Sequence, residues 1–518
     1  MPFTSPLPDV EIPALPVHRL VLDGAAARGE HPALVDGRTG TTISYATLAR
    51  MVDRLAAGFA AAGLRKGDVL ALYSPNSELY PVVFHAALTA GATVTPVNAL
   101  ATGKDLADQL RDSGAAWLVT TSAQVGRVAE AGAGTGVREV FLLDAAPGYR
   151  SVRQLMECTD PAPRVEIDPD ADLAALPYSS GTTGVAKGVM LTHRNLVANV
   201  RQVQATLDLR PDDRVVAVLP LFHIYGLTVL MNLGLAAGAT LVVLPRFELD
   251  EFLRVLAEQR ITRAFVAPPV VLALAKHPAV ADHDLSALRV VFSGAAPLDP
   301  ELAEACARRL GCPVHQGYGM TEMSPVSHAV PFHEPASPPG TIGKLVPGTE
   351  ARVVDVATGS DVGPGTTGEL LVRGPQVMRG YLGRPEATDA TVDADGWLHT
   401  GDLVRVDEAG DWYVVDRVKE LIKYKGYQVP PAELEAVLLT HPGIADAAVV
   451  GGYDGDGEEI PHAFVVPAEG SLTPDEVIAH VAARVAPYKK VRLVTLVDRI
   501  PKSPSGKILR RQLRALPG

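Results

Sequence analysis

The chain has few cysteines, no surplus of positive charge, and no uninterrupted apolar run of membrane-spanning length. Cys158, Cys306 and Cys312 cannot build a disulfide framework, and none stands in a metal-ligand pattern. They read as small buried residues of a protein in a reducing compartment, expected to be the cytoplasm. A net charge of −12 argues against nucleic acid as the main partner. No charged-then-apolar signal opens the chain, and the end Ala515-Leu516-Pro517-Gly518 is neither a peroxisomal nor a prenylation signal. One nearly uncharged run, residues 215–245, is long enough to cross a bilayer. Pro220, His223, Asn232 and further glycines and prolines interrupt it, and its β-rich ends at 215–219 and 240–244 flank a helical middle. It reads as strand–loop–helix–strand inside an α/β core, so no transmembrane segment is expected.

What is present suits a large folded protein. Of 518 residues, 47% are apolar, enough for several cores, and the length suggests about two to four domains. The Ala- and Arg-rich composition suggests a high-GC bacterial source. Ser44 is a good N-cap for a helix over Tyr45–Ala62, followed by a strand over Val69–Tyr73. A helix beginning at Pro75-Asn76, a strand Thr93–Val97, a helix from Lys104 and a strand at 116–120 continue the alternation, which indicates parallel βα units. The rhythm resumes at Asp172. Residues 341–416 change to short alternating runs rich in glycine, a β-rich texture. After Lys419 a small α/β module of about one hundred residues follows. The expected division is therefore 1–418, two α/β subdomains plus a β-rich one, and 419–518, a small mobile α+β domain.

The chemistry concentrates in a few strings. Tyr178-Ser179-Ser180-Gly181-Thr182-Thr183-Gly184-Val185-Ala186-Lys187-Gly188 combines glycines, hydroxyls and one lysine. Backbone N–H groups of such a loop can converge on an anion, hydroxyls add donors, and the lysine adds charge. A Gly/Ser/Thr loop alone is usually a flexible surface loop, and Ala186-Lys187-Gly188 does not fit a Walker A spacing. Gln316-Gly317-Tyr318-Gly319-Met320-Thr321-Glu322 follows a strand. Its glycines allow close backbone approach, Tyr318 can lie against a purine, Thr321 can reach a phosphate and Glu322 can offer an oxygen to Mg²⁺. His399-Thr400-Gly401-Asp402 ends in a carboxylate that could accept ribose hydroxyls. The run from Arg417 to Gln428 is dense in cations and on its own would be a solvated basic face.

These strings, in this order over residues 15–515, resemble the adenylate-forming superfamily: acyl- and aryl-CoA ligases, carrier-loading adenylation domains and beetle luciferases. The string from Arg417 to Gln428 and the box Leu221-Phe222-His223-Ile224-Tyr225-Gly226 are similar to those of plant 4-coumarate:CoA ligases. The resemblance implies ATP, Mg²⁺ and coenzyme A, with a small carboxylic acid as substrate. It implies a phosphate loop of Ser179, Ser180, Gly181, Thr182, Thr183, Gly184 and Lys187. It assigns Gln316, Gly317, Tyr318, Gly319, Met320 and Thr321 to the nucleotide, Glu322 to the metal, and Asp402 and Arg417 to the ribose. Lys507 is implied as the catalytic lysine of adenylation and Lys419 as a hinge. Lys423 and Gln428 serve one lid orientation, and Lys425 and Gly426 lie at the CoA side. His223 borders the acyl pocket, lined by Tyr225, Gly294, Gly319, Pro325 and Val326. Gly294 and Gly319 would leave a slot for a flat ring, although Ser324 stands where the plant enzymes usually carry Gly. A cinnamate-type or other aryl acid is expected. A medium-chain fatty acid, a carrier-protein acceptor, or a catalytically silent nucleotide or acyl sensor are the alternatives. The basic segment from Tyr488 to Arg492 could meet CoA phosphates or be a plain solvated turn. The oligomeric state is left open.

Overall fold

A computed structural model describes residues 2–132, 134–179, 186–334, 337–425, 427–454, 458–468, 472–503 and 506–515, the side chains of Tyr427 and Gln428 excepted. Among these residues two nine-stranded sheets dominate. One runs in the order Tyr178–Ser179, Lys187–Thr192, Leu173–Ala175, Thr93–Val97, Val69–Tyr73, Trp117–Thr120, Glu139–Leu142 and Arg150–Ser151, with Gly380–Tyr381 pairing beside Lys187–Thr192. The other runs Lys344–Leu345, Val326–Ala329, Val314–Gly319, Val290–Ser293, Arg263–Val266, Arg214–Ala217, Thr240–Val243, Pro32–Asp36 and Thr42–Ser44. The central strands of both are parallel, and buried on both faces apart from Val69 and Arg214 at strand starts, as crossover helices require. A five-stranded antiparallel sheet made of Phe3–Thr4, Glu350–Val354, Gly368–Arg373, Leu398–Val406 and Trp412–Arg417 is the expected β-rich part.

The sequence signals act locally as read. Ser44 accepts from Thr47 N–H at the start of Tyr45–Ala62, and Gly63, at φ +111°, closes the helix in the left-handed conformation. Thr192 and Asn195 form a reciprocal capping box at the start of His193–Leu207. The helix expected from Pro75 begins later, at Leu79. Asn76 is used as a strut instead of a cap. Its amide donates to the carbonyls of Leu219 (2.9 Å) and Leu244 (3.2 Å), and its carbonyl accepts from Leu221 N–H (2.8 Å). That buried asparagine thus sets the entry to the segment carrying His223. The apolar run beyond it coils as a π-helix, Tyr225–Asn232, then an α-helix, Leu233–Ala237. No helix among the described residues is long and apolar enough to cross a membrane.

The C-terminal part is a separate small α+β unit. Ile444–Tyr453 pairs antiparallel with Glu459–Pro467, which pairs parallel with Leu493–Leu496. Helices Pro431–Leu439 and Pro474–Ala482 cover a core of its own around Leu434, Val449, Val465 and Val481. Lys419 lies in the turn between Trp412–Arg417 and Ile422–Tyr424.

Candidate active site

Residues from separate strands bring the polar groups together. Asp402 and Arg417 are cross-strand partners of the five-stranded sheet, so their side chains share a face. Asp402, 3% exposed, accepts from the Tyr318 hydroxyl at 2.5 Å through one oxygen and pairs with Arg417 Nε at 2.8 Å through the other. Each carboxylate oxygen keeps a second lone pair, so ribose hydroxyls could be accepted without breaking these contacts. Burial, then the Asp402 charge, pushes the Tyr318 phenol well above its usual value, so it stays a neutral donor.

Tyr318 ends the strand Val314–Gly319, and Thr321–Met323 follows as a single 3₁₀ turn. That turn buries Glu322, 3% exposed, with its Oε1 accepting from the Tyr381 hydroxyl at 2.8 Å. Gln316 is buried on the same strand, and Met320 N–H donates to the Pro325 carbonyl at 3.0 Å. Ser179 pairs with Lys187 across a hairpin, and Lys187 Nζ sits 4.7 Å from the Tyr381 ring centroid. Ser180, Gly181, Thr182, Thr183 and Gly184, between them, lie outside the described residues, as do Gly426 and the side chain of Gln428.

Lys507 reaches this cluster from the C-terminal unit. Its turn is closed by Ser503 N–H to the Lys507 carbonyl (2.8 Å) and Lys507 N–H to Ser503 Oγ (3.1 Å). A Cβ added at Gly506 would stand 3.3 Å from Pro269 Cδ and 3.5 Å from Ala267 Cβ, so this turn lies against the large domain. Lys507 is exposed, although the protein around its ammonium removes part of its hydration. That desolvation and the Arg417 charge lower its pKa, while Asp402, Glu420 and Glu322 pull the other way. His223 feels the same lysine: burial first and the Lys507 charge second push it down to about 4. His223 Nδ1 accepts from Tyr225 N–H at 3.3 Å, so the neutral ring carries its proton on Nε2.

Of the residues expected to line an acyl pocket, two are brought side by side. Tyr225, 7% exposed, lies beside Gly294, where an added Cβ would stand 3.0 Å from Tyr225 Cε1. Val326 is held by Asn199, which donates to its carbonyl at 2.7 Å and accepts from its N–H at 3.1 Å. The bare Cα of Gly319 has another cause than a slot for substrate: a Cβ there would meet the Pro325 carbonyl oxygen at 2.1 Å, so the chain crossing itself requires glycine.

The model of the AMP-binding enzyme family matches residues 22–382, and that of the AMP-binding enzyme C-terminal domain matches residues 433–507. The chain belongs to the AMP-binding enzyme family. It is 44% identical to 4-coumarate--CoA ligase 5 of Oryza sativa subsp. japonica, with 99% of this chain and 97% of the relative covered. It is 42% identical to 4-coumarate--CoA ligase 2 of Petroselinum crispum, over 99% and 96%. Both are plant proteins and lend no support to the bacterial source suggested by composition. Among solved structures, ATP-bound MatB from Rhodopseudomonas palustris superposes with a TM-score of 0.88 at 30% identity, over 97% of this chain and 99% of that one. The apo form of the same protein scores 0.79, over the same shares.

In this AMP-binding enzyme the remaining sequence-predicted residues lie apart from the cluster. Lys423 is exposed on Ile422–Tyr424, its N–H bound to Glu459 at 2.9 Å, and Lys425 is exposed with its ammonium 5.4 Å from the Tyr424 ring centroid. Lys489 is ion-paired with Glu433. Among the described residues no group of three or more His, Cys, Asp or Glu could hold a metal ion. A single buried carboxylate such as Glu322 nevertheless fits Mg²⁺, which typically takes one or two carboxylates together with substrate phosphates. Sequence reasoning missed Tyr381, Glu420 and Arg510. Glu420 pairs with Arg510 Nε at 2.9 Å, and Arg510 pairs with Glu435 at 3.0 Å, just past the Lys419 turn. Their partners are 90 and 75 residues apart in sequence, and no local spacing signals such contacts.

Proposed function

We propose that the protein is an ATP-dependent acid–CoA ligase, acting in the cytoplasm on a cinnamate-type acid such as 4-coumarate, with Mg²⁺. The observation that carries the reading is the convergence of Tyr318 and Arg417 on the buried Asp402, with Lys507 close enough to feel the charges of Asp402, Arg417 and Glu322. The likeness in sequence to 4-coumarate–CoA ligases over 99% of the chain supports the substrate class. The three free cysteines support a reducing compartment.

Two half-reactions follow. In the first, the substrate carboxylate attacks the α-phosphate of ATP and pyrophosphate leaves. Asp402 and Arg417 hold the ribose, Tyr318 lies against the adenine, and Ser179, Ser180, Gly181, Thr182, Thr183, Gly184 and Lys187 hold the phosphates. Lys507 neutralises charge where carboxylate and phosphate oxygens approach. Mg²⁺, when bound at Glu322, neutralises phosphate charge further. Neutral His223 borders the carboxylate path with a donor on Nε2. In the second half-reaction, the C-terminal domain, residues 419–518, turns about Lys419. Lys507 withdraws, Lys423, Lys425, Gly426 and Gln428 arrive, and the CoA thiol attacks the acyl carbon as AMP leaves. The orientation described here is that of the first half-reaction, which the greater likeness to ATP-bound than to apo MatB supports.

The test is a screen of aryl acids and C6–C12 fatty acids for AMP formation with CoA and with a phosphopantetheinylated carrier protein. Highest kcat/KM for a cinnamate with free CoA is expected. Preference for a fatty acid or for the carrier overturns that part of the reading, and no AMP with any acid overturns the whole.

A further inference from the structure

Gly380–Tyr381 is a two-residue strand antiparallel to Lys187–Thr192, with Tyr381 opposite Val189. Hydrogen bonds from Leu382 N–H to Gly188 O (2.9 Å) and from Arg379 N–H to Met190 O (3.0 Å) fix it on both sides. This pairing carries the Tyr381 ring, 6% exposed, to within 4.7 Å of the Lys187 ammonium. The far end of the same ring donates its hydroxyl to Glu322 Oε1 at 2.8 Å. The neighbouring backbone grips that residue again, Met378 N–H donating to the Glu322 carbonyl at 2.8 Å.

We propose that Tyr381 is a positioning residue for adenylation, fixing Glu322 for the metal of MgATP with its hydroxyl and Lys187 for the phosphates with its ring. The proposal rests on the proposed function, in which Glu322 meets Mg²⁺ and Lys187 meets phosphate. The chemistry favours this division of labour. Mg²⁺ demands near-octahedral geometry and generally takes one oxygen of a carboxylate. A hydrogen bond on Oε1 stops the carboxylate turning and leaves Oε2 as the available donor. An aromatic face attracts an ammonium without a countercharge. Lys187 therefore keeps its full positive charge for phosphate, whereas a direct ion pair with Glu322 would neutralise both groups.

The test uses Tyr381→Phe, which keeps the ring and removes the hydroxyl, and Tyr381→Leu, which removes both. ATP binding is measured by calorimetry in Mg²⁺ and in EDTA, and pyrophosphate exchange is titrated with Mg²⁺. Loss of a hydrogen bond to a charged group is expected to raise the half-saturating Mg²⁺ about tenfold in Tyr381→Phe and leave ATP affinity in EDTA unchanged. Tyr381→Leu is expected also to weaken ATP in EDTA, because Lys187 loses its seat. Glu322→Gln separates the two ideas. If it leaves the Mg²⁺ dependence unchanged, Glu322 is no metal carboxylate and the proposal falls with that reading. If Glu322→Gln shifts the dependence and Tyr381→Phe does not, the role of Tyr381 alone is overturned. Equal weakening of ATP by Tyr381→Phe with and without Mg²⁺ reduces Tyr381 to a packing residue and overturns the proposal as well.

Discussion

Gly294→Ala tests the acyl wall with the least possible addition of mass. The new Cβ would stand 3.0, 3.2 and 3.3 Å from Cε1, Cζ and Oη of Tyr225, against the roughly 3.5–4.0 Å of a relaxed carbon contact. The ring must therefore move by several tenths of an ångström. It has little room: Tyr225 is 7% exposed, its hydroxyl lies 3.4 Å from the Phe292 carbonyl, and its backbone begins the buried π-helix Tyr225–Asn232. Overpacking of this kind costs ~1–3 kcal/mol. Where the displaced ring intrudes on the bound acid, that is roughly a tenfold to hundredfold loss in kcat/KM. Alanine should fall at the lower end and Gly294→Val at the upper. The loss should be larger for ring-substituted cinnamates than for cinnamate, and the KM for ATP in pyrophosphate exchange should not change. Adding Tyr225→Leu to Gly294→Ala should recover part of the loss, whereas Tyr225→Phe should not, because the closest contact is to a ring carbon. The assay is kcat/KM over an aryl series with hexanoate and octanoate alongside. A Gly294→Ala enzyme with wild-type constants for every acid refutes the reasoning.

Further outcomes follow from the same geometry. Lys507→Ala should abolish pyrophosphate exchange while sparing thioester formation from preformed acyl-adenylate, and Lys419→Pro should do the reverse by blocking rotation at φ; equal loss of both steps in either variant contradicts the assigned role. Stability should fall on acidification. Burial, with the His18 charge second, pushes His85 down to about 3, and burial does the same to His328. A histidine whose folded pKa lies below its unfolded value stabilises fully above about pH 6.5 and loses that contribution as pH falls, which amounts to ~2 kcal/mol per residue at pH 5. Asp416, pushed up to about 6 by burial, acts oppositely: its favourable contribution is complete below about pH 4 and lost as pH rises through 6. His85→Leu should therefore narrow the gap in thermal midpoint between pH 8 and pH 5, and an unchanged gap would remove His85 from the account.

How legible the molecule was depended on the range of each interaction. Caps and turns were readable because Ser44 meets Thr47 and Thr192 meets Asn195 within one helical turn. The three-part body and the small C-terminal unit were readable from changes in periodicity. The ordered motifs singled out Tyr318, Asp402 and Arg417 from strings 84 and 15 residues apart, and these three side chains do converge. What escaped was the set of contacts made between strands remote in sequence. The Tyr381–Glu322 bond spans 59 residues and depends on a two-residue strand that no propensity announces. The same limit explains Gly319: a missing side chain reads as open space, but the Pro325 carbonyl fills it. The lid orientation belongs to this class too. Lys507 can be named from its string, but its influence on His223 is tertiary, and the Lys419 turn that joins the two units is flanked by Val418 N–H to Gly401 O at 2.9 Å on the body side and the Glu420–Arg510 pair on the other. A rotation there changes every distance from Lys507 to the large domain while leaving both cores intact. If the proposed rotation occurs, the sequence names the residues of each half-reaction and the contacts flanking the turn select the orientation.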